Sequence, residues 1–304
     1  MARTELTVAN GYIVEEHSSN VVQAALQNSA VEKLARREPM ATSVKRVPRF
    51  VGDAPNVYAE GATIGEADVT LDDITLTARK WAKIMHISEE DMNDSFVDVL
   101  NTYKTQWATN WAKKFDNACL GVTAAAAGTD AAPYTSVYRA VSQHNSAANR
   151  IQSAGAITFD DLNQLLSKIE DSAYFDPSKT GFIAHPQLLA TLRGLVDDNN
   201  RPILTDPLGT TTGTLFGYPL TISTGAMTGA AASATPSGNA LLIVGNTDLM
   251  INGVRAGIES MVSKDAKFDT DGVLLKVRAR RAFDIARAEG FAVLEKTASA
   301  KGDK

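Results

Sequence analysis

The sequence predicts an α+β fold in which a long extended segment projects from a body built around one long helix. Three observations favour it: residues 69–87 alternate in polarity as a strand does, residues 88–120 carry large apolar side chains three and four apart, and residues 158–294 mix short helical and strand patterns. The chain has 304 residues, which is room for about two domains, and its 44% hydrophobic content is that of an ordinary globular protein.

Composition argues against several classes of protein. The single cysteine, Cys119, leaves no disulfide framework and no multi-cysteine zinc site, and we expect it to be a small buried filler. A net charge of −5 argues against a dedicated nucleic-acid reader, since such proteins are usually basic. Apolar runs fall short of the roughly 18 residues of a membrane span, and the N-terminus lacks a signal-peptide pattern. We therefore expect a soluble protein of a reducing interior, with no membrane partner.

Residue types that carry chemistry are present, but their spacings do not form a site. The four histidines are scattered, at His17, His86, His144 and His185. The glycine-rich stretch 209–217 is not followed by Gly-Lys-Ser/Thr, and no Gly-x-Ser-x-Gly elbow occurs. We predict that the protein is not an enzyme and has no catalytic residues, cofactor or metal.

Residues 1–50 are predicted to form an N-terminal arm with one helix between Ser19 and Arg37, where apolar residues recur every four positions. Glu38-Pro39 is expected to end this helix, because the residue before a proline is pushed out of the helical region. Residues 33–49 carry six cations against one acid: Lys33, Arg36, Arg37, Lys45, Arg46 and Arg49. This pattern fits either a solvated basic segment or an arm that lies near a polyanion.

Residues 51–86 are predicted to form an extended loop, a β-hairpin of unusual length. Val69 to Ile87 could span about 60 Å as a strand. An isolated two-stranded ribbon is marginal in water, so we expect a neighbouring subunit to support it; the alternative is a strand pair lying flat on its own domain. Residues 52–78 contain no lysine or arginine. The candidate contact residues are Asp53, Tyr58, Glu60, Ile64, Glu66, Asp68, Asp72 and Asp73.

A strand late in the chain has the opposite charge. Lys276, Arg278 and Arg280 alternate with apolar residues and so share one face, and Arg281 lies beside them. We hypothesise that the acidic loop of one subunit docks on this basic strand of another. The alternative is a half-buried strand with a wet cationic face.

The body of the fold is predicted around a long helix that begins near Ser88-Glu89-Glu90-Asp91 and runs to Gly121, about 48 Å. Its aromatic stripe is interpreted as core. A second helix opens at Thr158-Phe159-Asp160-Asp161. Further predictions are strands at 180–184, 215–223, 240–244, 273–286 and 291–294, a helix at 186–196, and hairpin turns at Asn252-Gly253 and Asp271-Gly272.

This order of elements resembles the major capsid proteins of tailed bacteriophages, whose fold was first seen in the Hong Kong phage capsid and is shared with encapsulins. Three segments match by residue type. Residues 181–203 begin Gly-Phe-Ile-Ala-His-Pro and end Asp-Asp-Asn-Asn-Arg-Pro-Ile, residues 215–220 read Leu-Phe-Gly-Tyr-Pro-Leu, and residues 288–294 read Ala-Glu-Gly-Phe-Ala-Val-Leu. In the second segment the glycine allows close backbone approach and the proline marks a strand start or edge.

The resemblance implies a division of the chain into an arm (1–50), an extended loop (51–86), a peripheral domain with the spine helix (87–121), an axial domain (122–252), and a return through peripheral strands to a closing axial strand and tail (253–304). It further implies hexamers and pentamers that form an icosahedral phage head in the host cytoplasm. The arm would face packaged double-stranded DNA and contact it without sequence preference.

Two departures from family patterns shape the expected partners. Only about 50 residues precede the loop, so scaffolding is expected from a separate protein, beside a portal and possibly a cement protein. Residues 52–78 contain no lysine for the loop cross-link that some members form. The alternative function is an encapsulin-like compartment that encloses protein cargo.

Overall fold

A computed structural model describes residues 29–51, 57–61, 63–65, 70–90, 98–153, 155–196, 201–205, 213–229, 238–267 and 270–297. The helices are α1 Ala30–Leu34, α2 Val99–Leu120, α3 Val137–Gln143, α4 Phe159–Glu170 and α5 Leu189–Gly194. The strands are β1 Arg36–Pro39, β2 Val44–Val51, β3 Thr70–Thr77, β4 Arg79–Ser88, β5 Arg150–Ser153, β6 Thr180–Ala184, β7 Leu204–Thr205, β8 Thr214–Leu215, β9 Tyr218–Ile222, β10 Ala240–Asn246, β11 Met250–Lys267, β12 Gly272–Ile285 and β13 Phe291–Lys296.

A seven-stranded mixed sheet, ordered β5-β13-β10-β6-β9-β8-β7, separates two hydrophobic cores. Alternate residues of its central strands point to opposite faces. Ile183, Leu241 and Val293 pack with α2 and α3 on one side. Phe182, Leu242 and Leu294 pack with α4 and α5 on the other. Because both faces are covered, these strands are continuous apolar runs, which is why the sequence marks them clearly.

A four-stranded sheet, ordered β1-β11-β12-β4, lies against the long helix α2 through an aromatic cluster. The Trp111 and Phe115 rings stack 5.1 Å apart on the helix. Trp81 of β4 meets Phe115 edge to face at 6.2 Å, and Tyr134 links this group to Phe283 of β12. The Trp81 indole N–H donates to the Tyr134 hydroxyl at 2.9 Å, and that hydroxyl donates to the Arg281 carbonyl at 2.8 Å. The helix stripe is therefore core, as predicted.

The extended hairpin consists of β2 paired antiparallel with β3, from Val44 opposite Thr77 to Val51 opposite Thr70. The predicted continuous run 69–87 is wrong, because the chain passes at Ala78 from this hairpin into β4, which pairs with β12 in the four-stranded sheet. The hairpin also lies on its own body: Ile74 and Leu76 are buried against Met40, Ile251 and Ala282. The alternative of a strand pair supported by its own domain therefore holds for this part.

Other predicted boundaries differ for local reasons. Ser88 is the last residue of β4, and Glu89 and Glu90 are helical, as predicted. Residues 91–97 lie outside the described residues, and α2 begins at Val99, where the Asp98 side chain accepts from the Asn101 N–H at 3.0 Å.

The predicted helix from Ser19 to Arg37 is interrupted at Ser29, which is extended and caps the start of α1. That helix ends at Leu34, and Arg36–Pro39 form strand β1. Residues 1–28, including Val22 and Leu26, lie outside the described residues.

Asn252-Gly253 is not a turn but lies within the long strand β11. The glycine is required there for space: a Cβ at Gly253 would lie 2.5 Å from the Met40 sulfur and 2.8 Å from the Ala282 Cβ. Asp271, with φ of 43°, does form the turn into β12, as predicted. The capping box of Thr158 and Asp161 on α4 is also confirmed. No helix in the described part of the chain is long and apolar enough to cross a membrane.

Candidate assembly surfaces

The tip of the extended loop, residues 57–65, exposes apolar side chains to solvent. Val57 is fully exposed and Ile64 is 74% exposed, and Tyr58 and Glu60 lie beside them at the surface. The Gly65 amide donates to the Tyr58 hydroxyl at 3.0 Å, which holds the two sides of the tip together. The turn between them uses Gly61, at φ of 79°. Exposed apolar groups clustered in one loop segment indicate a surface that another molecule covers.

The acids at the base of the hairpin are paired within the chain. Asp72 forms an ion pair with Arg49, and Asp73 lies 3.3 Å from Arg46. Both acids therefore have ion-pair partners in the adjacent strand β2, whose residues up to 50 were predicted to belong to the arm. Of the other predicted loop contacts, Asp53, Glu66 and Asp68 lie outside the described residues.

The basic strand is β12, and its cations do alternate onto one half-exposed face. Arg278 pairs with Glu259 of β11 at 2.8 Å, while no described residue forms an ion pair with Lys276 or Arg280. Exposed Ile84 of β4 and Met261 of β11 lie opposite Lys276 on either side. The face is thus apolar as well as cationic.

Arg281, predicted as a contact residue of the basic strand, lies on the opposite, buried face of β12. Its side chain is buried, it forms an ion pair with Glu32 of α1 at 2.7 Å, and its guanidinium lies 5.5 Å from the centroid of the Trp111 ring. Alternation along β12 accounts for this placement, because residues 273, 275, 277, 279 and 281 are buried while 274, 276, 278 and 280 are partly exposed.

The described start of the arm is anchored by Asp116, a fully buried residue of α2 that the sequence reasoning missed. Its carboxylate accepts from the Ser29 hydroxyl at 2.5 Å, the Ala30 N–H at 2.9 Å and the Val31 N–H at 3.3 Å. The hydroxyl of Ser223, which directly follows strand β9 of the seven-stranded sheet, donates to the same carboxylate at 2.7 Å. Burial raises the pKa of Asp116, while these donors act in the opposite direction. One carboxylate thus joins the arm, the helix and the seven-stranded sheet.

The arm cations differ in their surroundings. Lys45 and Arg36 pair with Glu38 at 2.5 and 3.7 Å, and Arg46 and Arg49 pair with the hairpin acids. Lys33 and Arg37 are exposed. The arm is therefore less cationic, as folded, than its sequence suggests.

Glu295 of β13 centres a second buried network beside the closing strand. Its carboxylate accepts from Tyr138 at 2.8 Å, Gln152 at 3.0 Å and Asn239 at 2.7 Å. Burial alone would raise the pKa of Glu295, but the hydrogen bonds from Asn239, Gln152 and Tyr138 outweigh it and hold the pKa below its usual 4.5.

This network is expected to make folding acid-sensitive. Since the pKa of Glu295 is lower in the folded chain, its stabilising effect is present above pH 4.5 and is lost as pH falls through the folded pKa. Glu295→Gln should therefore reduce the loss of stability between pH 7 and about pH 3, as measured by denaturant unfolding at both values. An equal loss in the variant and in the parent protein would contradict this role.

No group of three or more His, Cys, Asp or Glu side chains in the described part of the chain could hold a metal ion. Cys119 lies in the last turn of α2 and is buried in the core, as predicted, and burial raises the pKa of its thiol well above the usual value.

Comparison with solved structures identifies the architecture. Chains from Mycobacterium phage Bobi and Microbacterium phage Oxtober96 superpose with TM-scores of 0.72 and 0.70 at 19% and 20% identity, covering 94% and 93% of this chain and 96% of each of those chains. A chain described as the capsid of a native GTA particle gives 0.71 at 16% identity, covering 98% of this chain and 100% of that one. The fold is that of the tailed-phage major capsid proteins, which confirms the predicted α+β class and its arm, loop and spine helix.

Sequence comparison gives the family. The model described as "Phage capsid family" matches residues 10–296, and the chain belongs to that family. The major capsid protein of Staphylococcus phage 80alpha is 24% identical over 301 residues, 94% of this chain and 85% of that protein. A probable major capsid protein of Mycobacterium phage D29 is 27% identical over 212 residues, 67% of this chain; the match spans only 61% of that relative.

Proposed function

We propose that this chain is a major capsid protein that self-assembles as hexamers and pentamers into an icosahedral phage head. Family membership over residues 10–296 supports this proposal, and the observation that carries it to a mechanism is the exposed apolar tip at 57–65. The protein would act in the virion after assembly in the host cytoplasm. It would serve as a structural subunit and not as an enzyme.

The mechanism is the sum of many modest contacts. A side chain such as Ile64 contributes roughly 1.5–3 kcal/mol when it moves from full exposure into an apolar surface. The extended loop lies against its own body through β2 and β3 and offers its tip to an adjacent copy. Closed symmetry then repeats each contact in every subunit, so a weak single contact suffices for a stable shell.

We assign the seven-stranded sheet to the axial domain at capsomer centres, and the four-stranded sheet with α2 to the peripheral domain. The arm would face double-stranded DNA on the inner side through Lys33 and Arg37, which are exposed and outside the hairpin ion pairs. Such contacts neutralise phosphates without reading sequence. Scaffolding, portal and any cement functions would come from separate proteins. The cargo-shell alternative has no specific observation in its favour.

Arg280→Glu is expected to weaken assembly, because the loop segment 52–68 carries only acids and this face would then repel it. Sedimentation velocity should show a loss of shells in favour of free subunits at physiological salt. Lys168→Glu on α4 makes the same change of charge elsewhere and should assemble normally. Normal assembly of Arg280→Glu would show that this face is not part of the interface.

Sedimentation of the parent protein tests the function itself. A major capsid protein should sediment as capsomers or shells, alone or with its scaffolding protein. A stable monomer under both conditions would contradict the proposed function.

A further inference from the structure

A groove of about 620 Å³ lies between the long helix α2, the short helix α1 and strand β11. Its floor is one face of α2, formed by Thr105, Ala108, Thr109 and Ala112. The two threonine hydroxyls donate to carbonyls of α2 itself, at 3.0 and 3.1 Å, so they need no further partner and the floor is mostly apolar. Small side chains on one helix face allow a second helix to approach closely.

The walls of this groove also lack partners. Ile258 of β11 is 45% exposed, and β1 covers the edge of β11 only as far as Val254. Trp111 is 5% exposed, and its indole N–H has no acceptor among the described residues. Lys104, at the end of the groove nearer the start of α2, forms no ion pair with any described residue. An occupant with apolar side chains, a free oxygen acceptor and an acid would satisfy all three.

The arm joins this groove at one end. Ser29 lines the groove, and the Asp116 carboxylate, which accepts from Ser29 and Ala30, fixes that end of the arm beside α2. The residues before Ser29 are therefore tethered to the groove. The floor extends from Ala112 back to Lys104, about 12 Å along the helix axis.

The segment that precedes Ser29 has the pattern that the groove requires. Residues 19–28 are uncharged, and Val22 and Leu26 lie one helical turn apart on the apolar stripe of the predicted arm helix. Ten residues of helix span about 15 Å, which is close to the length of the floor. The segment is thus long enough, and apolar on one side, to cover the groove from end to end.

We propose that residues 19–28 form a helix that lies in this groove on their own subunit, parallel to α2. The apolar side of this helix packs on the small side chains of the floor, and Glu15 and Glu16, just before it, approach Lys104. The arm is then held to α2 at two places, the groove and the Asp116 carboxylate. This inference goes beyond the proposed function, because it concerns the single subunit and holds whether or not a shell has formed.

A disulfide within one chain tests the location. The full-length double variant Val22→Cys with Thr105→Cys is oxidised at low concentration and digested with trypsin without reduction. Trypsin gives residues 4–33 and 105–113 as separate peptides, so a linked pair shows that the two positions meet. The native Cys119 is buried and lies outside both peptides.

The matched control is Val22→Cys with Gln106→Cys, since Gln106 is the next residue of α2 but lines a cleft on another side of the helix, next to β4. The proposal predicts the linked peptides for position 105 and not for position 106. Equal linkage at both positions, or linkage at neither, would overturn it. A mixture of the single variants at 22 and 105 that gives heterodimers in place of the internal link would put the segment on a second copy, which also overturns it.

Filling the groove gives an independent measurement. Ala108→Trp places a large side chain on the floor and should displace the segment, so that chymotrypsin cleaves after Leu26 about tenfold faster than in the parent protein. Gln106→Trp adds the same side chain outside the groove and should leave this rate unchanged. Equal cleavage rates in all three proteins would contradict the proposal. Sedimentation of the same variants reports shell formation separately, so normal shells without the internal link overturn this inference alone.

Discussion

Asp116→Ala is expected to lower the free energy of unfolding by about 3 kcal/mol and to release the arm. The substitution leaves the Ala30 and Val31 N–H groups buried without an acceptor, and each orphaned donor costs about 1–3 kcal/mol. The Ser29 and Ser223 hydroxyls lose the carboxylate as an acceptor at the same time. Denaturant unfolding measures the first effect. Trypsin cleavage after exposed Lys33, which should become faster, measures the second.

The control for Asp116 is Asp130→Ala, which removes a carboxylate that is solvent-exposed and paired with Lys114. An exposed ion pair contributes about 0–1 kcal/mol, so this variant should unfold like the parent protein. Equal stability of Asp116→Ala and the parent, with unchanged cleavage at Lys33, would show that the carboxylate does not anchor the arm.

Replacing Val57, Tyr58 and Ile64 together by serine is expected to abolish shell assembly without unfolding the subunit. These side chains are solvated in the single chain, so their loss costs the fold little. In a shell, each serine would contribute less burial free energy at every interface than the apolar side chain that it replaces. Since 1.4 kcal/mol is a factor of ten in affinity, the concentration that supports assembly should rise by at least about a hundredfold. Light scattering during assembly measures this concentration.

A conservative variant separates apolar character from shape at the tip. Val57→Ile, Tyr58→Phe and Ile64→Leu keep the apolar surface and remove only the hydroxyl that accepts from Gly65. We expect this protein to assemble. Normal assembly of the serine variant would contradict the role of the tip, whereas failure of both variants would assign that role to the shape of the loop.

The sequence predicted those elements whose pattern depends on local burial. Strand Thr180–Ala184 and helix Phe159–Glu170 were predicted at their observed starts, because one is a continuous apolar run and the other has a capping box. The break at Ala78 was not predicted. The alternation of Ile74, Leu76 and Ala78 is interrupted at Arg79-Lys80, but only the two different partner strands show that β3 and β4 belong to separate sheets.

The candidate surfaces were predicted less completely. The cationic face of β12 and the burial of Arg281 on the opposite face both follow from alternation, but the ion pair of Arg281 with Glu32 of α1 does not. Asp116 and Glu295 were missed because their donors lie far along the chain, from Ser29 to Ser223 and from Tyr138 to Asn239. No local pattern distinguishes such carboxylates from solvated ones.

Electron cryomicroscopy of the assembled protein tests the central claim most directly. The account predicts closed icosahedral particles in which residues 57–65 of each subunit lie on an adjacent subunit. Particles in which that tip contacts only its own chain, or a preparation that remains monomeric at every concentration, would contradict it.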